Sequence, residues 1–324
     1  MNNLIVKVCG MRDGENIRQV VELGVDWIGM IFWDKSPRNV TMIPTNAGII
    51  PDRANGQWSK VNGQGFTAHV GTVPGAYNFW FHAPAPPEVD EGMEGEAPSF
   101  KSQISNQRYP LLIFLHGRSL CGRDLAKVKR YGAIDAVARG RSIDCFIMAP
   151  QNPGESWNPH KIMKIVDWAS KNYNVDTTRI YVYGMSLGGY GTLDLAATYP
   201  DRIAAAMALC GGATVKDLSG LSRLPLWIVH GTADSRVPVS ASDKVVAAIK
   251  ATGDDSRLIY TRMPGIDHGR PARIFYMGQT YDWLFSHSLL DPGREVNRDF
   301  VITSEMLNSA YQDLGRNFKP DYDE

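Results

Sequence analysis

The sequence has 324 residues, of which 44% are apolar and 21% charged, and its 34 Lys and Arg residues balance 34 Asp and Glu residues. This composition is typical of a globular protein with one large domain and an appendage. The lack of a basic excess argues against a nucleic-acid partner, and no run of about 18 apolar residues predicts a membrane span. The four cysteines are widely scattered, so we expect them to be reduced.

Residues 1–53 form a separate first segment. A strand at residues 4–8, a helix at 16–23 and a strand at 27–32 give one βαβ unit. A piece of roughly 40 to 50 residues buries too little surface to be stable alone. Because residues 27–32 are apolar throughout, we expect this segment to dock on the rest of the chain or on a second subunit, which would give a homo-oligomer.

The same segment carries three short sequences of a known family. They are Lys-Val-Cys-Gly-Met-Arg at residues 7–12, Glu-Asn-Ile at 15–17 and Lys-Ser-Pro-Arg at 35–38. They resemble the opening of phosphoribosylanthranilate isomerase, a (β/α)8 barrel. Cys9 stands where that family keeps its catalytic base, but the family's acid and most of its phosphate site belong to later strands that do not follow here. We therefore expect Cys9 to be a small apolar residue that ends a strand, without isomerase activity.

Antiparallel strands and a loop follow the first segment. Alternating apolar residues at 65–70 and 76–82 predict two strands that do not continue a barrel. Residues 84–107 are rich in proline, serine and acidic side chains, which is typical of a solvated loop.

From residue 109 onward, apolar strands alternate with helical stretches. The strands lie at residues 111–115, 145–149, 180–183, 204–209, 226–229 and 258–260, and the clearest helices at 161–171, 190–199 and 240–251. Strands that are apolar throughout are buried on both faces, and interleaved helices are the crossovers of a mostly parallel sheet. The sequence therefore predicts an α/β fold. After it, we expect residues 291–324 to form a polar, loosely attached tail with one helix near 304–314.

The strongest catalytic pattern is Gly-Met-Ser-Leu-Gly at residues 184–188. It follows the predicted strand at 180–183 and precedes a helix, which is the context that a G-x-S-x-G nucleophile requires. Small residues flank Ser186 because so tight a turn leaves no room for side chains, and the helix N-terminus then points at the serine hydroxyl. A glycine-rich helix entry could carry the same letters, but the surrounding strand and helix favour Ser186 as a nucleophile.

A serine hydroxyl needs a base to take its proton and an acid to orient that base. Asp234 comes just past the buried strand at residues 226–229, and His268 follows the next strand. Either residue alone would be an ordinary loop residue, but Ser186, Asp234 and His268 stand in the chain order of the α/β-hydrolases. All three follow predicted parallel strands, at the sheet edge where α/β proteins place their sites. We therefore predict a catalytic triad.

Acyl transfer by such a triad also needs backbone N–H groups that stabilise the oxyanion of the tetrahedral intermediate. The predicted strand at 111–115 ends in His-Gly, at the position where the α/β-hydrolases build that site. We assign the N–H groups of Leu187 and Arg118, each expected to lower the barrier by roughly 3 kcal/mol. Ser119 is the nearest alternative donor and otherwise a candidate for substrate binding.

Several short sequences in the catalytic region belong together. They are Ala-Pro-Gln-Asn-Pro at residues 149–153, Asp-Thr-Thr-Arg-Ile at 176–180, Gly-Met-Ser-Leu-Gly-Gly-Tyr-Gly at 184–191, Cys-Gly-Gly at 210–212, His-Gly-Thr-Ala-Asp at 230–234 and Tyr-Asp-Trp at 281–283. They resemble bacterial esterases described as predicted peptidases or polyhydroxybutyrate-depolymerase-like hydrolases, which are related to feruloyl and acetylxylan esterases. The resemblance implies an α/β-hydrolase domain over residues 54–290, with the triad on Ser186, Asp234 and His268.

One departure from that family affects the oxyanion site. Relatives often show His-Gly-x-Gly-Glu, whereas residues 116–120 are His-Gly-Arg-Ser-Leu and the next glycine is Gly122. We therefore expect a different shape for this loop and for the acyl pocket. Such esterases are often exported, but no secretory signal is visible here, so the residues alone predict a cytoplasmic protein while the resemblance leaves export open.

Other residues are weaker candidates. Trp157 follows the predicted strand at 145–149, and it either lines the acyl pocket or packs in the core. His116 and His230 end buried strands, which favours structural histidines with satisfied hydrogen bonds. The remaining histidines have no metal-binding spacing such as H-E-x-x-H, so we expect no metal and no cofactor.

The sequence thus predicts a carboxylesterase for small esters or esterified carbohydrate, including feruloyl and acetyl esters. One alternative is a serine peptidase with the same triad. The others are a bifunctional isomerase and esterase, and a binding or scaffold protein that has kept the fold without catalysis. The truncated barrel argues against the bifunctional enzyme, and the intact Ser, Asp and His argue against the scaffold.

Overall fold

The computed structural model describes residues 7–11, 27–30, 60–61, 64–84 and 108–314. The chain divides into two compact units, Met1–Trp58 and Ser59–Glu324. In the first unit, strand β1 (Lys7–Met11) pairs in parallel with strand β2 (Trp27–Met30). Parallel pairing is how the two strands of a βαβ unit are arranged. The helix predicted at 16–23 lies outside the described residues.

Among the described residues, the second unit is built around one sheet of nine strands. In chain order they are β3 (Lys60–Val61), β4 (Gln64–His69), β5 (Phe79–His82), β6 (Tyr109–Leu115), β7 (Phe146–Pro150), β8 (Val175–Met185), β9 (Ala205–Leu209), β10 (Leu226–Gly231) and β11 (Leu258–Met263). Their order across the sheet is β11-β10-β9-β8-β6-β7-β5-β4-β3. Strands β6 to β11 pair in parallel, and β3 to β5 are antiparallel to their neighbours. The predicted mostly parallel sheet is confirmed.

Helices cover both faces of this sheet. They are α1 (Ala133–Ala138), α2 (Pro159–Asn172), α3 (Leu187–Thr198), α4 (Ser240–Ala251), α5 (Gly278–Phe285) and α6 (Ser304–Asn308). Helices α2, α3 and α4 bury their apolar side chains in one cluster, and α1, α5 and α6 bury theirs in another. No helix in the described ranges is long and apolar enough to cross a bilayer.

Strand β6 shows why the core divides in this way. All of its residues are buried. Leu112 and Phe114 belong to the cluster of α1, whereas Leu111, Ile113 and Leu115 belong to the cluster of α2. Successive side chains point to opposite faces of a strand, so a strand that is covered on both faces must be apolar throughout.

Helix α2 begins where the sequence supplies a cap. Asn158 accepts hydrogen bonds from the backbone N–H groups of His160 and Lys161 at 2.9 and 3.1 Å. Pro159 occupies the first turn, where its missing N–H leaves no hydrogen bond unmade. Together these residues stop the loop after β7 and start the crossover to β8.

The C-terminal segment differs from its prediction. It forms helix α6 and a 3-10 turn at Gln312–Leu314, and Thr303 caps α6 by accepting from the Met306 N–H at 3.3 Å. Apolar side chains of the segment are buried in the cluster of α1 and α5, namely Val296, Ile302, Leu307, Ala310 and Tyr311. The predicted loose attachment is therefore wrong for residues 291–314, because apolar residues that are thinly spaced in a polar sequence still anchor it.

Candidate active site

Strand β8 carries Ser186 to the start of helix α3 through a sharp turn. Ser186 has φ 58° and ψ −121°, a conformation that costs a residue other than glycine about 1–3 kcal/mol. Its N–H donates to the carbonyl oxygen of Leu209 at 2.9 Å, and its own carbonyl accepts from the Tyr190 N–H at 3.0 Å. These two bonds hold the strained residue between strand β9 and helix α3.

The glycines around Ser186 are needed because the end of strand β6 passes directly against this turn. A Cβ atom at Gly184 would lie 2.5 Å from the carbonyl oxygen of Leu115, and one at Gly188 would overlap the same oxygen. A Cβ at Gly117 would lie 3.4 Å from the Cβ of Ser186. The loop after β6, where the oxyanion site is predicted, therefore lies beside the predicted nucleophile.

Asp234 and His268 form a hydrogen-bonded pair. The Nδ1 atom of His268 lies 2.6 Å from Oδ2 of Asp234. Oδ1 of Asp234 accepts from the backbone N–H groups of Arg236 and Val237 at 2.9 and 2.8 Å. Burial raises the pKa of Asp234, but its hydrogen bonds outweigh burial and leave the pKa below its usual value. An ionised carboxylate at Nδ1 favours the imidazole tautomer whose Nε2 can accept a proton.

Ser186 and His268 lie on the wall of one cavity of about 710 Å³, which we call the Ser186 cavity. Leu187, Arg118 and Ser119 line the same cavity. The structure thus gathers these predicted site residues around one space, with Asp234 buried behind His268. Leu187 is the first residue of α3, where N–H groups have no partner within the helix.

Trp157 is not on the wall of the Ser186 cavity. Its side chain is 2% exposed, and its Nε1–H donates to the carbonyl oxygen of His116 at 3.3 Å. The indole packs against the ring of Tyr77, with 5.1 Å between the ring centroids. The predicted substrate-binding role of Trp157 is therefore wrong. The loop after β7 turns the indole into the core, as the second of the two interpretations predicted.

His116 and His230 are structural histidines, as predicted. The Nδ1–H of His116 donates to the carbonyl oxygen of Gly117 at 2.8 Å, and its Nε2 accepts from the Asn152 N–H at 3.0 Å. Burial lowers the pKa of His116 to about 4, although the bond to Gly117 opposes this. In His230, Nδ1 contacts the Ser242 hydroxyl and Nε2 contacts the Val237 carbonyl oxygen, and Nε2 also lies 3.2 Å from Oδ2 of Asp234, which it therefore helps to position.

Within the described ranges, one group of three side chains has the composition of a metal site. Its members are Cys210, Asp234 and His268, and their ligand atoms lie within 4.8 Å of one another. Hydrogen bonds already occupy both oxygens of Asp234 and Nδ1 of His268. Burial raises the pKa of the Cys210 thiol, so the thiol is protonated, whereas metals bind the thiolate. We therefore interpret the group as a hydrogen-bonded network.

Tyr131 is a site residue that the sequence did not reveal. Its hydroxyl accepts a hydrogen bond from the buried Gly117 N–H at 2.7 Å. Gly117 immediately precedes the 3-10 turn Arg118–Leu120, which carries the predicted oxyanion donor. Burial raises the pKa of Tyr131 to about 12, so the hydroxyl stays protonated. No motif marks a tyrosine so far along the chain from the loop that it holds.

Replacing Tyr131 by phenylalanine should lower kcat for a small aryl ester about tenfold and change KM little. The variant leaves the buried Gly117 N–H without its acceptor, which should destabilise the present loop conformation by about 1–3 kcal/mol. The peptide can then rotate to another acceptor, and this would displace the neighbouring N–H of Arg118. Steady-state kinetics measure the effect, with thermal unfolding as the check on the fold. The matched control is Tyr199→Phe, which removes a hydroxyl bonded to His160 outside the cavity. An unchanged kcat in Tyr131→Phe would contradict this role.

Parts of the chain are similar to known proteins. Residues 155–219 match the profile of the prolyl oligopeptidase family. Over 160 residues the chain is 28% identical to a probable acetylxylan esterase A of Aspergillus clavatus, which covers 48% of this chain and 47% of that protein. A short N-terminal stretch of 42 residues is 52% identical to N-(5'-phosphoribosyl)anthranilate isomerase of Parabacteroides distasonis, covering 13% of this chain and 19% of that protein.

Among solved structures, a thermostable esterase is 27% identical, with a TM-score of 0.52, and the match covers 69% of this chain and 63% of that one. The chain spans less than two thirds of the length of each of these three proteins. The comparisons confirm both resemblances seen in the sequence and the predicted α/β-hydrolase fold.

Proposed function

We propose that this α/β-hydrolase cleaves carboxylic esters through a covalent acyl-enzyme on Ser186. The observation that carries the proposal is the 2.6 Å hydrogen bond between Asp234 and His268, next to a cavity whose wall also holds Ser186. A carboxylate, an imidazole and a strained serine at the start of a helix are the parts that acyl transfer requires. The likeness to esterases, including an acetylxylan esterase, supports ester chemistry.

In the acylation step, Nε2 of His268 takes the proton of the Ser186 hydroxyl while the oxygen bonds to the ester carbonyl carbon. The carbonyl electron pair moves to its oxygen, and the N–H groups of Leu187 and Arg118 stabilise the resulting oxyanion. When the intermediate collapses, the bond to the alcohol breaks and the alcohol leaves with the proton from His268.

Deacylation repeats these steps with water. His268 takes a proton from water as the water oxygen attacks the acyl carbon, and the bond to Ser186 breaks as its oxygen regains a proton. The products are the free acid and the original enzyme, so the proposed reaction uses no reactant other than the ester and water. We propose small esters and esterified carbohydrate as substrates, with acetyl esters first because of the acetylxylan esterase relative.

A serine peptidase is the second candidate, because residues 155–219 match the prolyl oligopeptidase family. The same triad would have to protonate an amine leaving group. An ester and an amide of the same acyl group separate the two functions. We expect the ester to be cleaved and the amide to be nearly inert, in a series from acetyl to feruloyl derivatives. Comparable turnover of the matched amide would favour the peptidase.

The rate of ester hydrolysis should fall in acid through one ionisation. A histidine base works only as neutral imidazole, and free histidine side chains titrate near pH 6.5. The partner carboxylate should add no second step in that range. Burial raises the pKa of Asp234, but hydrogen bonds outweigh it and keep this pKa below its usual value. We would measure kcat/KM from about pH 4 to about pH 9, with tryptophan fluorescence to verify folding. A flat profile in the folded enzyme would contradict His268 as base.

A further inference from the structure

The wall of the Ser186 cavity is rich in arginine. The arginines on it are Arg118, Arg130, Arg236 and Arg270. Of the described residues on this wall, one is acidic, namely Asp267. The carboxylate of Asp267 accepts from the backbone N–H groups of Gly269 and Arg270, both at 3.1 Å, so it caps its own loop. The formal net charge of the whole chain is +0, so this excess of positive charge is a local property of the cavity.

Some arginines on the protein surface are ion-paired with carboxylates. Arg223 is paired with Asp201 at 2.6 Å, and Arg202 is paired with Asp167 at 2.8 Å. In the described part of the chain, no carboxylate forms an ion pair with Arg118, Arg236 or Arg270. Arg118 and Arg236 are exposed, so both can reach a molecule in the cavity.

Arg270 is the most constrained of the three. Its side chain contacts the amide oxygen of Asn308, which is neutral and leaves the positive charge uncompensated. Its Nε–H is buried and has no hydrogen-bond partner among the described residues. An unpaired donor of a charged group is costly in such a place. Arg270 nevertheless lies on the wall of the cavity, and a guanidinium group matches a carboxylate with two parallel hydrogen bonds.

The chain places two of these arginines close to the proposed acid and base. Arg236 and Arg270 each follow a triad residue by two positions, Asp234 and His268 respectively. In the proposed mechanism His268 gives its proton to the leaving alcohol. Arginines near His268 are therefore well placed to bind an anionic group on the alcohol part of the ester. A cleft lined by one sign of charge also concentrates ligands of the opposite sign.

We propose that the protein selects esters that carry a carboxylate or another anionic group near the scissile bond. This substrate class rests on the proposed function, since it assigns a preference to the same site. Acetyl esters that carry such a group would then be better substrates than neutral acetyl esters. Both steps of the mechanism are unchanged, because the arginines bind the anion and take no part in the bonds that form and break.

Two matched pairs of esters test the proposal with the full chain. In the first, 4-acetoxybenzoate and its methyl ester differ in charge on the alcohol side, and the neutral ester has the better leaving group. In the second, the mono-4-nitrophenyl ester of adipic acid and 4-nitrophenyl hexanoate differ in charge on the acyl side. We expect kcat/KM to be at least about tenfold higher for the anion in the first pair. A preference in the second pair instead would also support the proposal and would place the anion on the acyl side.

Salt and two variants show whether arginine causes the preference. Raising NaCl from about 0.05 M to about 0.5 M should reduce the anion-to-neutral ratio of kcat/KM, because salt screens exposed charges. Arg236→Gln should lower the ratio several-fold, and because Arg236 is exposed we expect the variant to keep its fold. The matched control Arg223→Gln removes an exposed arginine that is ion-paired outside the cavity, and it should leave the ratio unchanged.

Equal kcat/KM values in both pairs, with hydrolysis that depends on Ser186, would overturn the proposed preference and leave the esterase function intact. A ratio that persists in Arg236→Gln and does not respond to salt would also overturn it, because the selectivity would then not be electrostatic. If the chain cleaves none of the four esters and does not react with a fluorophosphonate, the esterase function itself is wrong and the preference is overturned with it.

Discussion

Replacing Ser186 by alanine should abolish ester hydrolysis, with a loss in kcat on the order of 10⁴- to 10⁶-fold. Covalent labelling by a fluorophosphonate should disappear as well, because the probe bonds to the same oxygen. The fold should not change, since the bonds that hold this turn run from the Ser186 backbone to Leu209 and Tyr190. Thermal unfolding and circular dichroism would verify this.

The matched control for that variant is Ser235→Ala, which removes a serine hydroxyl from the wall of the same cavity. It should keep most of the turnover and all of the labelling. Turnover or labelling of Ser186→Ala at a level close to that of the unaltered protein would mean that another nucleophile performs the reaction.

The sequence could predict the position of Ser186 because backbone sterics decide it. The turn from β8 into α3 works only with glycine at 184 and 188, where any Cβ would meet the carbonyl oxygen of Leu115. This need for glycine arises within the turn itself, so the local sequence reveals it. The sequence also predicted the positions of Asp234 and His268, because each of these residues follows a strand that its apolar side chains identify.

Strand ends were predicted less well than strand centres, and β8 shows the reason. Its sequence signal covers residues 180–183, but the strand runs over Val175–Met185. Residues 176–179 are polar and are exposed or only partly buried, so they lack the apolar run that identifies a buried strand. Pairing with β6 still extends the strand, with Tyr109 opposite Val175.

Contacts between distant side chains could not be predicted. Tyr131 meets Gly117, Trp157 turns into the core, and Arg270 lies on the wall of the Ser186 cavity. Each outcome depends on the path of a loop and on the direction in which the side chain points from it. The local sequence does not determine either of these. The same holds for the C-terminal segment, whose few apolar residues anchor it only because a cluster on the sheet is there to receive them.

Replacing Asp234 by asparagine should lower kcat about 10⁴-fold while the protein stays folded. The surroundings of this side chain fix which way the amide must point. The position of Oδ1 receives two backbone N–H groups, so the amide oxygen has to occupy it. The amide NH2 then takes the position of Oδ2, which lies 2.6 Å from Nδ1 of His268 and 3.2 Å from Nε2 of His230.

Two donors cannot face each other there, so His268 in this variant should move its hydrogen from Nδ1 to Nε2. Nε2 is then no longer able to accept the proton of Ser186, and the negative charge that stabilised the imidazolium is gone as well. The measurements are kcat on a small aryl ester and the rate of fluorophosphonate labelling, both of which should fall together. The control Asp243→Asn changes a carboxylate that accepts from the Tyr260 hydroxyl outside the cavity, and it should have little effect. Activity of Asp234→Asn within about tenfold of the unaltered protein would show that His268 does not depend on this carboxylate for its tautomer.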